Sequence, residues 1–185
     1  TNAPGGGLVF GLAEEEIKKL LEIALSKGGE FSELNFEHTV TNSVTMAEDI
    51  IKESSESIAL GVGVRVINGQ QQGYGYTNDI NFASIKEAAL TAASIAGSTG
   101  NKVIANLERQ DLKHRVYDLN RPLSEMKLSP KIDLIKEAYE AAQRFDSRIK
   151  KVTASMLDSL EKVTIANSEG LLISDVRPQT RLFVQ

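Results

Sequence analysis

The chain has 185 residues, of which 41% are hydrophobic and 25% are charged, and its net charge at pH 7 is −4. These proportions are those of an ordinary globular protein, and the length suffices for one domain with a core or for two small lobes. The acidic balance and the lack of a basic run disfavour nucleic acid as a partner, because phosphate binding depends on clustered lysine and arginine. The chain has no cysteine, which excludes disulfides and thiolate metal sites.

The start of the chain, residues 1–12, is predicted to be a flexible lead-in. No stretch approaches the ~20 apolar residues that span a membrane, and no signal peptide opens the sequence. We therefore expect a cytoplasmic protein without a membrane partner.

The first predicted helix covers residues 13–26, where apolar residues recur at helical spacing and Gly28 and Gly29 follow. A strand is predicted over residues 31–40. After a turn at residues 41–43, residues 41–49 read as a second strand, and residues 50–57 as a loop or a strand end.

A β-hairpin is predicted where Asn-Gly at residues 68–69 joins two extended runs, since both central residues of a type I′ turn need positive φ. With these two residues as the loop, Gly63 pairs with Tyr74 and Gly61 pairs with Tyr76. Each tyrosine then covers a glycine gap on the neighbouring strand.

The two faces of this hairpin differ in character. Alternation places an apolar set on one face: Ile58, Leu60, Val62, Val64 and Val66. The other face carries the polar-tipped residues Arg65, Gln72, Tyr74 and Tyr76. These four are the candidate contact residues for a peptide or a protein partner, and a merely solvated sheet face is the alternative.

The second predicted helix covers residues 82–96, with Asn81 as its N-cap, and its alanines make it slim enough to pack closely on a glycine-containing sheet. Residues 98–122 are the predicted linker. A third helix is predicted with Ser129 as N-cap and Pro130 at its first position. Strands are predicted over residues 149–158, 162–167 and 171–185, with a turn at 168–170.

This order of elements predicts an α+β fold, a two-layer sandwich of a mainly antiparallel sheet with helices on one face. The predicted lobes are residues 13–97 and 123–185, the second of them truncated at its C-terminal end. A helix–strand–strand unit occurs in both, which suggests an internal repeat.

No catalytic or metal-binding pattern is found in the sequence. His38 and His114 lie on different elements, and neither belongs to a paired histidine motif. No nucleophile elbow and no phosphate-binding loop occurs. We therefore expect no catalytic, cofactor or metal residue in this chain.

Three segments together resemble the N-terminal region of the TldD/PmbA family: FSELNFEHT, ALGVGVRVINGQQQGYGYTND and KEAALTAASIA. The later VTIANSEGLLISDVRP and RLFVQ resemble it as well. The family comprises metal-dependent peptidases and their partner subunits, and an older description connects it with modulation of DNA gyrase. The resemblance implies a peptide substrate, pairing with a like or related subunit, and zinc or another divalent metal bound by an HExxxH helix further along the polypeptide.

Three functions follow as hypotheses. The resemblance favours the non-catalytic N-terminal domain of such a peptidase or of its partner subunit, helping to form a peptide-accepting cavity or a dimer. The first alternative is a self-standing interaction module without protease activity. The second is a small autonomous hydrolase.

Overall fold

The computed structural model describes residues 8–97, 104–113 and 126–185. In chain order the elements are α1 (Glu14–Leu25), β1 (Phe31–Ala47), β2 (Ile50–Asn68), β3 (Gln71–Thr77), α2 (Phe82–Ile95), β4 (Glu108–Gln110), α3 (Leu128–Phe145), β5 (Thr153–Asn167) and β6 (Leu171–Val184). The strands form a sheet in the order β3-β2-β1-β5-β6-β4. The β2–β3 pair is antiparallel and the β4–β6 pair is parallel. The predicted α+β class with a mainly antiparallel sheet is confirmed.

The strands are longer than the sequence patterns predicted. The turn predicted at residues 41–43 is wrong, because β1 continues to Ala47 and the chain reverses at Glu48 and Asp49, whose φ angles are 53° and 61°. Residues 50–57 belong to β2, and the strands predicted at 149–158 and 162–167 are one strand, β5. Serine and threonine fit an exposed pleated strand, and these stretches contain no glycine or proline that would end one.

The helices follow their predicted bounds closely, and one of the two predicted N-caps is confirmed. Asn81 caps α2, since its side chain accepts a hydrogen bond from the Ser84 N–H at 2.9 Å. The prediction for α3 is wrong by two residues: the helix begins at Leu128 after Lys127. Pro130 is still accommodated in the first turn, where a backbone N–H has no helical partner to lose.

The described residues fall into two compact units, and each unit is assembled from separate stretches of the chain. The first unit contains residues 8–38, 60–97, 104–113 and 162–175, and the second contains residues 39–59, 126–161 and 176–185. β4 lies in the range predicted as a linker. The division into lobes at residues 13–97 and 123–185 and the internal repeat stay predictions. A helix followed by two long strands occurs twice, as α1-β1-β2 and as α3-β5-β6.

None of the helices in the described ranges combines the length and the apolar character needed to cross a bilayer.

The first unit packs α1 and α2 on its part of the sheet. Its largest fully buried side chains are Phe36, Ile17, Leu20, Leu21, Leu25, Leu34, Ile85, Leu172, Val62, Val64 and Val66. The predicted apolar face of β2 is therefore only partly buried, because Ile58 and Leu60 are 64% and 37% exposed. Val62, Val64 and Val66 belong to the core cluster that contains the buried residues of α1 and α2, whereas Ile58 and Leu60 do not.

Helix α2 packs closely on β3 in the first unit. A Cβ on Gly73 would overlap the Ala92 carbonyl and lie 3.0 Å from the Ala96 nitrogen, and a Cβ on Gly75 would overlap the Ala88 carbonyl. Only glycine permits this approach of helix backbone to strand backbone. The predicted packing of a slim alanine helix on a glycine-containing strand is thus what the structure shows.

We predict that Gly73→Ala lowers the free energy of unfolding by about 1–3 kcal/mol or more, because the added methyl group meets helix backbone and cannot be relieved by a rotamer change. Urea denaturation measures it. Gly97→Ala is the matched control, since its new methyl group would lie 3.4 Å from its nearest neighbours. Equal stability of the two variants would contradict the packing argument.

The second unit is centred on the buried side chains Val44, Met46, Ile135, Tyr139, Val152, Ala154 and Met156, where α3 covers β1 and β5. An ion pair lies beside this cluster. The Lys131 ammonium donates to both oxygens of the Asp158 carboxylate, at 2.8 and 3.1 Å, and the Asn42 amide donates to the same carboxylate at 3.3 Å. The two charged side chains are only 4% and 3% exposed.

We predict that Lys131→Met lowers the free energy of unfolding by about 3–5 kcal/mol, because it leaves the Asp158 carboxylate buried without its cation. The double variant Lys131→Met with Asp158→Leu should recover most of that loss, since it removes both charges. Arg144→Met, which breaks an ion pair with side chains 72% and 56% exposed, is the control and should change stability little. Urea denaturation at pH 7 compares the three, and a double variant no more stable than the single one would contradict the prediction.

Candidate functional site

The hairpin that carries the candidate residues has a different loop from the predicted one. Asn68 pairs with Gln71 and Arg65 pairs with Tyr74, so the two loop residues are Gly69 and Gln70. Gly69 has a φ of 56°, as the first central residue of a type II′ turn requires. Asn68 ends β2, and its side-chain amide donates to the Ala96 carbonyl at 3.0 Å.

The tyrosines nevertheless cover the predicted glycines. A Cβ on Gly63 would lie 2.5 Å from the Tyr74 hydroxyl, and a Cβ on Gly61 would lie 2.5 Å from Cζ of Tyr76. A shift of two residues in register preserves the faces of the strands, and each ring leans diagonally across the pair to reach its glycine.

The four candidate residues lie on one outward face, which we call the tyrosine face: Arg65, Gln72, Tyr74 and Tyr76. Tyr74 and Tyr76 are 54% and 58% exposed, and Gln72 is also exposed. Arg65 is half-buried, and its guanidinium donates to the Glu33 carboxylate at 3.2 Å.

Sequence reasoning missed three residues of β1 that extend the tyrosine face. Glu33, Asn35 and Glu37 alternate along β1, and Glu33 reaches Arg65. The Asn35 amide donates to the Glu37 carboxylate at 2.6 Å. Their alternation was visible in the sequence, but the strand that lies beside β1 was not, so nothing connected them with Arg65.

Other chemistry is sparse in the described parts of the chain. Within them, no three His, Cys, Asp or Glu side chains are close enough to hold a metal ion, so these residues do not fit the metal that the resemblance implies. His38 is half-buried in β1, and His114 lies outside the described residues.

Two carboxyl groups of the second unit have displaced pKa values. A hydrogen bond from the Arg148 guanidinium lowers the pKa of Asp146, and a hydrogen bond from Lys52 lowers the pKa of Glu48. Both are solvent-exposed pairs at the ends of elements, where ordinary ion pairing explains the shift.

The sequence matches two consecutive domains of one protein family. Residues 32–96 match the PmbA/TldA metallopeptidase domain 1, and residues 121–185 match the PmbA/TldA metallopeptidase central domain. The chain belongs to the PmbA/TldD family. The first match contains the whole tyrosine face.

Curated relatives agree with the family. The chain is 29% identical over 174 residues to a metalloprotease TldD homolog from Haemophilus influenzae, covering 94% of this chain and 36% of that protein. A metalloprotease TldD homolog from Buchnera aphidicola (Acyrthosiphon pisum) is 27% identical over 171 residues, covering 92% of this chain and 35% of that protein. The PmbA/TldD chain thus spans about a third of the length of these relatives.

Solved structures share the fold. A protein described as a modulator of DNA gyrase from Bacteroides thetaiotaomicron superposes with a TM-score of 0.69 at 17% identity, covering 92% of this chain and 40% of that one. TldE from Thermococcus kodakarensis gives a TM-score of 0.67 at 15% identity, covering 92% and 38%.

We predict that Gly63→Ala changes the free energy of unfolding by less than about 1 kcal/mol, in contrast to Gly73→Ala. At Gly63 the added methyl group meets the hydroxyl end of the exposed Tyr74 side chain, which can turn away. The ring resonances of Tyr74 should move in an NMR spectrum while urea stability stays nearly constant. A large loss of stability would show that the ring is fixed in place.

Proposed function

We propose that this chain is a non-catalytic part of a PmbA/TldD-type metallopeptidase, or of its partner subunit, and that it helps to form the surface that accepts an extended peptide or a neighbouring subunit. The observation that carries the proposal is the tyrosine face: exposed aromatic and polar side chains on the outer side of a hairpin whose inner side is filled by α2. The names of the curated relatives support the peptidase class.

The hairpin suits contact with an extended polypeptide for two reasons. Among the described strands β3 lies at one edge of the sheet, and an edge can bind another strand through backbone hydrogen bonds. Tyr74 and Tyr76 add large, rigid apolar surface with a polar tip, the type of side chain that dominates binding energy in protein interfaces.

The longer protein would supply what the described residues lack. In this proposal zinc or another divalent metal and the catalytic groups belong to polypeptide beyond this chain, the protein is cytoplasmic, and its partner is a like or related subunit. A chelator should then abolish peptidase activity of the longer protein. Chelator-sensitive activity of this chain alone would contradict the assignment.

A self-standing interaction module is the second candidate function. The exposed apolar side chains of the second unit favour it, since Leu182 and Phe183 on β6 are 50% and 44% exposed. The two functions differ in one respect: the module would bind its partner without any peptidase segment in the same polypeptide.

We predict that Tyr74→Ala and Tyr76→Ala each weaken binding of an unfolded peptide about tenfold, because they remove the largest exposed side chains of the tyrosine face. Fluorescence anisotropy with a labelled peptide measures affinity. Ile95→Ala, which removes a 57% exposed side chain from α2, is the matched control and should bind normally. Unchanged binding by both tyrosine variants would overturn the proposed role of this face.

A further inference from the structure

Two polar atoms of the tyrosine face and its β1 neighbours are shielded from solvent and have no hydrogen-bond partner in the described chain: Nε of Arg65 and Oδ1 of Asn35. Both residues belong to the first unit. A buried polar atom without a partner destabilises the folded state, so a native protein keeps such atoms where something else satisfies them.

The neighbouring carboxylates determine which of the two atoms is left as a hydrogen-bond donor and which as an acceptor. Glu33 accepts a hydrogen bond from the terminal guanidinium nitrogen of Arg65, and the Nε–H remains as a donor. Glu37 accepts from the Asn35 amide at 2.6 Å. A carboxylate only accepts, so the amide nitrogen must face Glu37, and Oδ1 remains as an acceptor.

A ligand that satisfies both atoms must accept one hydrogen bond and donate another. A carboxylate can only accept, and the carboxylates of Glu33 and Glu37 would repel any anion, phosphate included. An ammonium group can only donate. An amide carries a carbonyl oxygen and an N–H in one uncharged group, and so, like water or a hydroxyl group, it complements the pair.

We propose that Nε of Arg65 and Oδ1 of Asn35 recognise an uncharged amide of a bound polypeptide, either a main-chain peptide group or an asparagine or glutamine side chain. This inference rests on the proposed function and specifies the chemistry of that surface. Tyr74, which pairs with Arg65 in the hairpin, supplies the adjoining apolar contact. Its exposed side chain rests on Gly63, so it can move aside without a change in the main chain.

Peptides and their ester analogues test the inference. The probe is an acetylated and amidated hexapeptide of alanine and serine, and each analogue replaces one peptide N–H by an ester oxygen. Asn35→Leu and Arg65→Lys should each weaken binding of the all-amide peptide about tenfold, the effect of losing one buried hydrogen bond. Lysine keeps the positive charge beside Glu33 but lacks the Nε–H.

The decisive result is that the effects of the ester and of the Asn35→Leu substitution on affinity do not add. One ester analogue should bind the unmodified protein about tenfold more weakly than the all-amide peptide, and Asn35→Leu should bind both equally, because the acceptor for that N–H is already gone. The esters need no change in the protein, so they test the inference even where a variant folds poorly. Circular dichroism checks folding, and Asn78→Leu, an exposed position just after β3, is the matched control.

Three outcomes would overturn the inference. If Asn35→Leu and Arg65→Lys change only the melting temperature, the two atoms bind a structural water. If Tyr74→Ala weakens binding and these two variants do not, the proposed function stands and the amide recognition is wrong. If the unmodified protein does not bind the probe at all, the amide recognition is also wrong.

Discussion

The close approach of α2 to β3 is the constraint on which the candidate surface depends. The carbonyls of Ala88 and Ala92 occupy the space that side chains at Gly75 and Gly73 would need. Because the inner side of the hairpin is filled by helix backbone, the large residues of β3 are confined to the outer side. β3 alternates glycine with tyrosine, and successive residues of a strand point to opposite faces. The glycines therefore lie under α2 and permit its close packing, and Tyr74 and Tyr76 lie on the exposed outer side.

The second unit is held by a different kind of interaction. A lysine on α3 and an aspartate on β5 form an ion pair that is almost completely buried, and an asparagine from β1 donates to the same carboxylate. Such a pair adds little net stability compared with apolar residues, but either charge alone would be costly. It therefore penalises any placement of α3 that separates the two side chains.

Family membership and the tyrosine face are independent observations, and both favour a protein that binds polypeptides. The family match concerns relatives about three times as long as this chain, whereas the hydrogen-bonding groups on the outer face are observed in this chain itself. Arg65 and Asn35 connect the two, since an unpaired donor and an unpaired acceptor on neighbouring strands suit the amide groups of a polypeptide.

Local patterns in the sequence were enough to predict the three helices and the Asn81 cap, because each depends on residues within one or two turns of the chain. The order of these elements predicted the α+β class, and the glycines of β3 and the alanines of α2 predicted their close packing. The lengths of β1, β2 and β5 were not predictable in this way, since polar residues extend a strand only where a neighbouring strand pairs with them. The observed hairpin register places Asn68 at the end of β2, where its side chain donates to Ala96, a contact with a helix that comes later in the chain. The addition of Glu33 and Asn35 to the tyrosine face likewise required strand pairing, which only the tertiary structure determines.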